Sequence, residues 1–562
     1  VKGLDFGTTT SLIAESRPAR TAVTPIGSTE KWLPSILGRD GVAWHPGEAA
    51  LSLPEDQIIR SAKRAITERD HSIQIFDGSA HVQVSADEAI TEILRELVVV
   101  ADREFVSLQD QTEVRLGCPA IWDGDQRRRL IRLARDAGIS VSENTIIDEP
   151  IAAGIAWINQ RIRAGQTVKG KLLVFDMGGG TLDVAVLAVN GQPTPAGAAR
   201  IPPMVSVQSS TGVGKAGDRL DDLIVEDFLE HLQAAGFDVS ARKEAAELKG
   251  WIRRSARIAK IELSTARSTT VVVGHPTVEI PTFVYTREEL ETAFRPQLDA
   301  AIELVTRALQ EALMSQVASP TVQKSLTPGQ AASLNLNELA AEVQYVVLAG
   351  GMSHVPVVRE RLGGVFGGDR VWLGADEASG RTGKDSTEMI AMGLSYHEDT
   401  DRMNLHRPGF DFVLEWEDPF DGSWKEEVVY QAHTPLYNFF GVSQTQLTKY
   451  LWKPAEGVLP RRGAGFLTVR SLSGERIGFT LDGVPKQGLP VEFGLSDFTV
   501  SLEPNGRVFC RDGLGRISVV RVATWPVIRG TKQESIKIET IADESAGRWT
   551  VESLAYHEKP YD

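Results

Sequence analysis

Two segments far apart in the chain share one arrangement. Asp5-Phe6-Gly7-Thr8-Thr9-Thr10 and Asp176-Met177-Gly178-Gly179-Gly180-Thr181 each set an aspartate two residues ahead of a Gly-Thr turn, with apolar alternation on both sides. The pattern reads as a strand, a tight turn and a second strand. Such a turn exposes consecutive backbone N–H groups that can wrap a phosphate. Thr8, Thr9 and Thr10 add hydroxyl donors. A hard cation prefers carboxylates, so Asp5 and Asp176 would hold Mg through water beside bound phosphates. A single glycine-rich hairpin is no more than a tight turn; two with aspartate at the same offset point to a Mg-nucleotide clamp. The duplication implies two related halves facing one cleft, and its period is far too long for a repeat array. The glycine-lysine phosphate loop and the strand–GxGxxG–helix unit are both absent.

The remaining pattern is α/β up to about residue 396. Ile90, Ile93, Leu94 and Leu97 give residues 87–106 a helical period, residues 112–121 read as a strand, and residues 124–137 form a basic-faced helix capped at Gly138. Arg127-Arg128-Arg129 reads as a solvated face of that helix. Pro150 opens a helix over 149–164. Residues 218–234 and 241–264 are further helices, and Thr286 to Leu313 is helical with a break or kink at Pro296. The stretch 315–340, rich in Ser, Thr, Pro, Asn and Gln, reads as mostly loop, and 343–351 as a buried strand entering a double-glycine turn. Past a polar linker the chain reads as short strands, with Glu503-Pro504-Asn505-Gly506 as a hairpin turn.

Composition narrows the function. The 562 residues carry a net charge of -15, which argues against non-specific nucleic-acid binding. No run approaches the roughly 18 apolar residues of a membrane span, so neither a nucleic-acid nor a membrane partner is expected. Cys118 and Cys510 cannot form a disulfide framework and fit a reducing compartment. With no signal segment at the start of the sequence, the expectation is a cytoplasmic setting. Cys118 reads as a small buried apolar residue, and the ten histidines show no metal-ligand spacing.

The sequence resembles the seventy-kilodalton heat-shock chaperone family of the actin and sugar-kinase ATPase superfamily. DFGTTTS is similar to its first phosphate motif and FDMGGGTLDVAV to its second. IIDEPIAAGIAW resembles its connecting helix, VVLAGGMSHVPVVRERL its adenosine motif, and CPAIWDGDQRR the segment from its proline switch to an arginine. The resemblance implies a two-lobed, actin-like ATPase fold over 1–396, a linker over 397–409 and a mostly β, sandwich-like region over 410–562.

It also implies roles. Lys63 matches the lysine that contacts the transferred phosphoryl group, Glu149 the carboxylate that places the attacking water, and Thr181 and Asp183 the residues around that water. Gly7, Thr8, Thr9, Thr10, Gly178, Gly179, Gly180, Thr181 and Gly217 match phosphate-side positions. Lys260, Ser264, Gly350, Gly351, Met352 and His354 match the nucleoside side. Asp5 and Asp176 would carry the Mg and K shell, and Pro119 and Arg127 match the pair that relays nucleotide state. ATP and ADP are the implied ligands. A polypeptide client or dedicated protein partner, a J-type co-chaperone and an exchange factor are the implied partners.

Five departures stand out. Arg257 replaces a glutamate of the base site, and His354 an arginine that stacks on adenine. In place of an apolar linker there is only Met403-Asn404-Leu405-His406, and no helical lid is legible. GADEASGRTGKDS is an apparent insertion. Tyr437, Phe439, Phe440, Tyr450 and Trp452 read as sandwich core rather than as a binding groove. One lysine and no arginine finger imply slow turnover. The leading reading is therefore a slowly hydrolysing, chaperone-like ATPase. The rivals are a nucleotide-dependent scaffold or sensor with little turnover and, behind it, a small-molecule kinase of the same superfamily.

Overall fold

The computed structural model describes the chain apart from residues 18–19, 110–112, 196–200, 317–327, 375–385, 397–406, 437–449, 504–505, 525–527, 530–531, 534 and 541–562. Two mixed sheets share one topology. In the first, Lys2–Phe6 pairs antiparallel with Thr10–Arg17, which pairs antiparallel with Arg20–Thr24. On its other side Lys2–Phe6 runs parallel to Val114–Cys118, which in turn runs parallel to Ile146–Asp148. In the second, Val168–Met177 takes the place of Lys2–Phe6. Leu182–Gly191 and Met204–Val213 are its antiparallel side, and Val343–Ala349 and Val371–Leu373 its parallel side. The duplicated hairpins are thus the matching corners of two related sheets.

Two helices lie between the sheets. Glu149–Arg163 packs on the second sheet, and Met389–Ser395 packs on the first and on Glu149–Arg163. The fit is tight because it is built on glycine. A Cβ at Gly393 would stand 1.7 Å from the Ala152 carbonyl oxygen, and one at Gly3 would stand 2.2 Å from that of Ala391. The helix Gly124–Asp136 begins in a capping box between Asp123 and Gln126 and ends at Gly138, whose φ is +90°.

Local patterning went astray in four places. The helix Arg287–Gln316 runs on through Pro296 without ending there, and Phe294 and Leu298 are buried on either side of it. Packing against the second sheet holds a helix that the proline alone would weaken. The stretch expected as loop contains helices Pro328–Ser333 and Leu336–Ala340; residues 317–327 lie outside the described chain. The helix expected from 241 starts at Ala245. Arg127-Arg128-Arg129 is not a solvated face: Arg127 is buried against Asp148 at 2.8 Å, Arg128 reaches Asp411 at 3.1 Å, and Arg129 reaches Asp87 at 2.7 Å.

Beyond residue 410 the described chain is all β. A four-stranded antiparallel sheet runs in the order Trp424–Tyr430, Asp411–Glu417, Gly463–Arg470, Leu489–Phe493. A seven-stranded sheet includes Thr499–Leu502, Arg507–Arg511, Ile517–Thr524 and Ile536–Thr540. Trp416 against Phe493, and Phe493 stacked on Phe498, tie the two sheets together. Gly506, at φ +76°, closes the expected hairpin; Pro504 and Asn505 lie outside the described residues. Tyr450 meets Tyr430 at 5.3 Å and Trp452 meets Phe498 at 6.3 Å, so both pack, half-buried, against the core; Tyr437, Phe439 and Phe440 fall outside the described chain. So do Met403 to His406 and most of the GADEASGRTGKDS segment. Both cysteines are buried, and no described helix is long and apolar enough to cross a membrane.

The glycine contact between the central helices is directly testable. Gly393→Ala should cost about 1–3 kcal/mol, because backbone must move to admit the methyl group. Gly364→Ala, in the helix Pro356–Phe366 where a Cβ would meet nothing within 4 Å, should instead raise the thermal midpoint slightly, by about 0.5–1 kcal/mol of helix propensity.

Candidate functional site

The two Gly-Thr turns face each other across the cleft between the sheets. A Cβ at Gly179 would lie 2.5 Å from Thr9 Oγ1, and one at Gly180 would lie 2.6 Å from Thr8 Oγ1. Glycine is required there because the opposing hydroxyls fill the space a side chain would take. The Gly178 N–H donates to the Thr181 carbonyl at 3.0 Å. The helix Gly217–Ala234 starts on the same turn: Gly217 N–H donates to Gly178 O at 3.1 Å, and Asp218 N–H to Gly179 O at 2.7 Å. Its N-terminal N–H end thus abuts the turn where anions are favoured. Gly350, at φ +77°, brings the turn after Val343–Ala349 against Met177 and Asp176, and the Met352 sulfur closes on Gly217.

Beneath the turns four carboxyl groups are buried: Asp5, Glu149, Asp176 and Asp183 are 5, 6, 3 and 1% exposed. Each lies at the end of a strand or at the start of a helix aimed at the cleft. Lys63, 3% exposed, donates to Glu149 Oε1 at 2.5 Å, and its ammonium sits 5.5 Å from the Trp122 ring centre. Burial and then Glu149 push Asp5 up to about 8, with Lys63 pulling the other way. Burial and then Glu149 and Asp183 hold Asp176 well above the usual carboxylate range. Burial and Glu149 push Asp183 up to about 7, against bonds from Thr181 and the Ala120 N–H. The Lys63 ammonium is raised overall, since its acid neighbours outweigh its burial.

This surplus of buried negative charge fits a cation. Asp176 Oδ1 and Asp183 Oδ2 are buried with no hydrogen-bond partner, although such groups are normally satisfied. Among the described residues no three acidic, histidine or cysteine side chains converge for direct ligation. A cation placed here would be held through water rather than by direct ligation.

The nucleoside-side positions are engaged with the protein itself. Lys260 Nζ lies 2.5 Å from Asp221 and donates to Gly217 O at 3.2 Å. Ser264 turns its hydroxyl back to the Ile261 carbonyl at 2.6 Å, and nothing within 4 Å crowds a Cβ at Gly351. Arg257 spans the cleft, 3.3 Å from both Asp221 and Glu55. His354 bonds Ser386 at 2.7 Å, and burial lowers its pKa, so its ring is neutral at neutral pH.

The structure adds residues that sequence reasoning passed over. The Ala120 N–H, next to Pro119, donates to Asp183 Oδ1 at 2.7 Å. The carbonyl of the same residue accepts from Arg407, which also donates to Ile121 O at 2.7 Å and His433 O at 2.8 Å. Arg407 is 6% exposed. Arg127 meets Asp148, and Asp148 Oδ2 accepts from Ser210 at 2.6 Å. Asp148 was within reach, being the residue before Glu149. Arg407 carried no signal, because its partners are carbonyl oxygens.

A family profile described as Hsp70 protein matches residues 1–379. The chain is 27% identical over 409 residues to the chaperone protein DnaK of Thermosipho melanesiensis, which covers 70% of this chain and 58% of that protein. It is 28% identical over 440 residues to the chaperone protein HscA of Pectobacterium carotovorum, covering 73% and 59%. With DnaK of Thermus thermophilus it shares 29% over 397 residues, covering 64% and 56%. The chain thus spans under two thirds of the length of these curated relatives.

The buried carboxyls set a pH dependence. Asp5 and Asp183 hold protons in the folded state, with pKa values of about 8 and 7, which the unfolded chain has lost above its value of 3.8. Their stabilising contribution is complete below that value and disappears as pH rises through 7 and 8. The nucleotide-free, metal-free protein should therefore melt at a lower temperature at pH 8 than at pH 6. Asp183→Asn should flatten the slope, and added Mg²⁺ should do the same.

Proposed function

The chain belongs to the Hsp70 family, and from that premise we propose that it is an ATP-binding, slowly hydrolysing, chaperone-like protein whose nucleotide state alters a C-terminal β-rich region that binds polypeptide. The observation that carries this reading is residue Ala120, whose N–H donates to Asp183 in the cleft while its carbonyl accepts from Arg407 at the entry to the β-rich region. Displacement of Asp183 by a γ-phosphate or its loss would be felt at Arg407 through the backbone of a single residue, whose N–H and carbonyl lie in adjacent peptide units. Further contacts support the link. Gly124 N–H donates to Ala432 O at 2.8 Å, Ser473 N–H to Glu143 at 2.7 Å, and Arg128 joins Asp411.

In the proposed reaction ATP and water give ADP and phosphate. Hydrolysis of this kind needs positioning and charge compensation more than covalent help. The facing turns would hold the phosphates, Lys63 would lean toward the transferred group, and Glu149 with Asp183 would orient water. Mg bound near Asp5 and Asp176 would supply charge neutralisation of the phosphate oxygens. K in the same shell, a J-type co-chaperone, an exchange factor and the division at 397–409 belong to the same proposal. Arg257 and the neutral His354 favour a second reading, a scaffold that binds nucleotide with little turnover.

Single-turnover hydrolysis separates the two. Lys63→Ala and Glu149→Ala should each slow it about 100-fold or more. Arg407→Ala should leave hydrolysis in place and abolish any effect of polypeptide on its rate. Nucleotide bound without hydrolysis by the unaltered chain would select the scaffold reading.

A further inference from the structure

Lys63 is carried on a tight turn, and its own half of the molecule fastens the far end of that turn. Lys63 is the N-cap of the short helix Arg64–Thr67. Gln126 Nε2 donates to the carbonyls of Ile66 and Thr67 at 3.0 Å each, and the Trp122 indole N–H donates to Thr67 Oγ1 at 3.1 Å. On the near side of the ammonium stands Ser61, whose carbonyl accepts from the Arg64 N–H at 2.9 Å. Its φ is +57°, in the left-handed region. A serine holds that conformation only where its surroundings impose it.

The group that meets Ser61 comes from the other half. The Ser61 hydroxyl donates to the carboxylate of Asp218, in the first turn of the helix Gly217–Ala234. That helix packs Leu220 and Ile224 into the core around the second sheet, whereas Ala62 and Ile66 pack into the core around the first. Asp218 is fixed on its own side by its N–H, which donates to Gly179 O at 2.7 Å. Its Oδ2 is buried with no hydrogen-bond partner. Lys260 and Arg257 lie close by, but both engage Asp221, at 2.5 and 3.3 Å. The same two segments touch again one turn away, where a Cβ at Gly214 would lie 2.9 Å from Thr67 Cγ2. A left-handed serine and a buried, half-satisfied carboxylate each cost stability. Together they make one bond across the cleft.

We infer that Asp218 is a positioning residue: by holding the Ser61 hydroxyl from the opposite half, it sets the turn that carries Lys63, so that the lysine takes its place only when the two halves are closed on each other. Its backbone touches the second Gly-Thr turn and its side chain touches the Lys63 turn. One residue therefore ties a phosphate-binding turn of one half to the ammonium of the other. The inference rests on the reading above that Lys63 serves phosphoryl transfer, and it adds how Lys63 is placed.

The test uses the full chain without nucleotide. Lys63 is read by its rate of acetylation with an N-hydroxysuccinimide ester, followed by mass spectrometry. Lys31, whose side chain is 55% exposed, is the internal reference. Asp218→Ala and Ser61→Ala should each speed acetylation of Lys63 about tenfold with Lys31 unchanged, and the double substitution should add little to either, because both remove the same bond. Asp218→Asn keeps an acceptor for the hydroxyl and loses only the charge, so it should stay within about twofold of the unaltered protein. A carboxylate that served only the helix end would fail equally as Asn and as Ala. In single-turnover hydrolysis the alanine variants should slow the chemical step about tenfold and leave the nucleotide dissociation constant unchanged. Unchanged Lys63 reactivity in both alanine variants, additive effects in the double variant, or failure of Asp218→Asn overturns the positioning role. If the unaltered chain binds ATP without hydrolysing it, the hydrolysis reading falls, and acetylation of Lys63 still decides the role of Asp218. If Asp218→Ala does not fold, Ser61→Ala breaks the same bond from its other end and decides it.

Discussion

Four carboxyl groups buried around the Lys63 ammonium set the terms for the rest of the molecule. Taking a charge out of water costs several kcal/mol unless a partner compensates, and one ammonium cannot compensate four acids. The cleft answers in part by proton uptake, which raises Asp5, Asp176 and Asp183, and in part by leaving oxygens of Asp176 and Asp183 unpartnered. A fold would not retain such an arrangement for stability alone. It is a charge pattern suited to a cation, and a cation bound there would couple the site to both pH and stability.

The pattern depends on duplicated architecture. Each sheet delivers one aspartate and one Gly-Thr turn from the same topological corner, and the two helices between the sheets set the distance between those corners. Glycines at 3 and 393 let backbone meet backbone, which fixes that distance more firmly than side chains would. A small rotation of one sheet against the other would alter the contact of Thr8 and Thr9 with Gly179 and Gly180, so the turns report any motion between the halves.

Communication with the β-rich region follows a polar route. Arg407 is buried with its guanidinium bonded to three carbonyl oxygens and no carboxylate among them, and burial lowers its pKa. A cation whose hydrogen bonds run to carbonyls is sensitive to the position of each peptide unit, while Asp148 and Glu311 add favourable charge around it. The Ala120 carbonyl belongs to one of those units, and the N–H of the same residue, in the preceding unit, faces Asp183.

The sequence alone was enough for the two turns, their aspartates, the order of the motifs and most element boundaries, because these follow from local conformational rules: glycine where a side chain cannot fit, apolar alternation along strands, caps at helix ends. It also marked Arg257 and His354 as departures, since a change of residue type is visible without coordinates. It misjudged Pro296 and the three consecutive arginines, where packing outweighs propensity and a partner decides whether a charge is solvated. It was silent on Arg407, on the cross-cleft bridge from Arg257 to Glu55, and on the bond from Ser61 to Asp218 across the same cleft. Those depend on which segments meet after the chain has closed, and no local pattern encodes a hydrogen bond to a carbonyl nearly three hundred residues away.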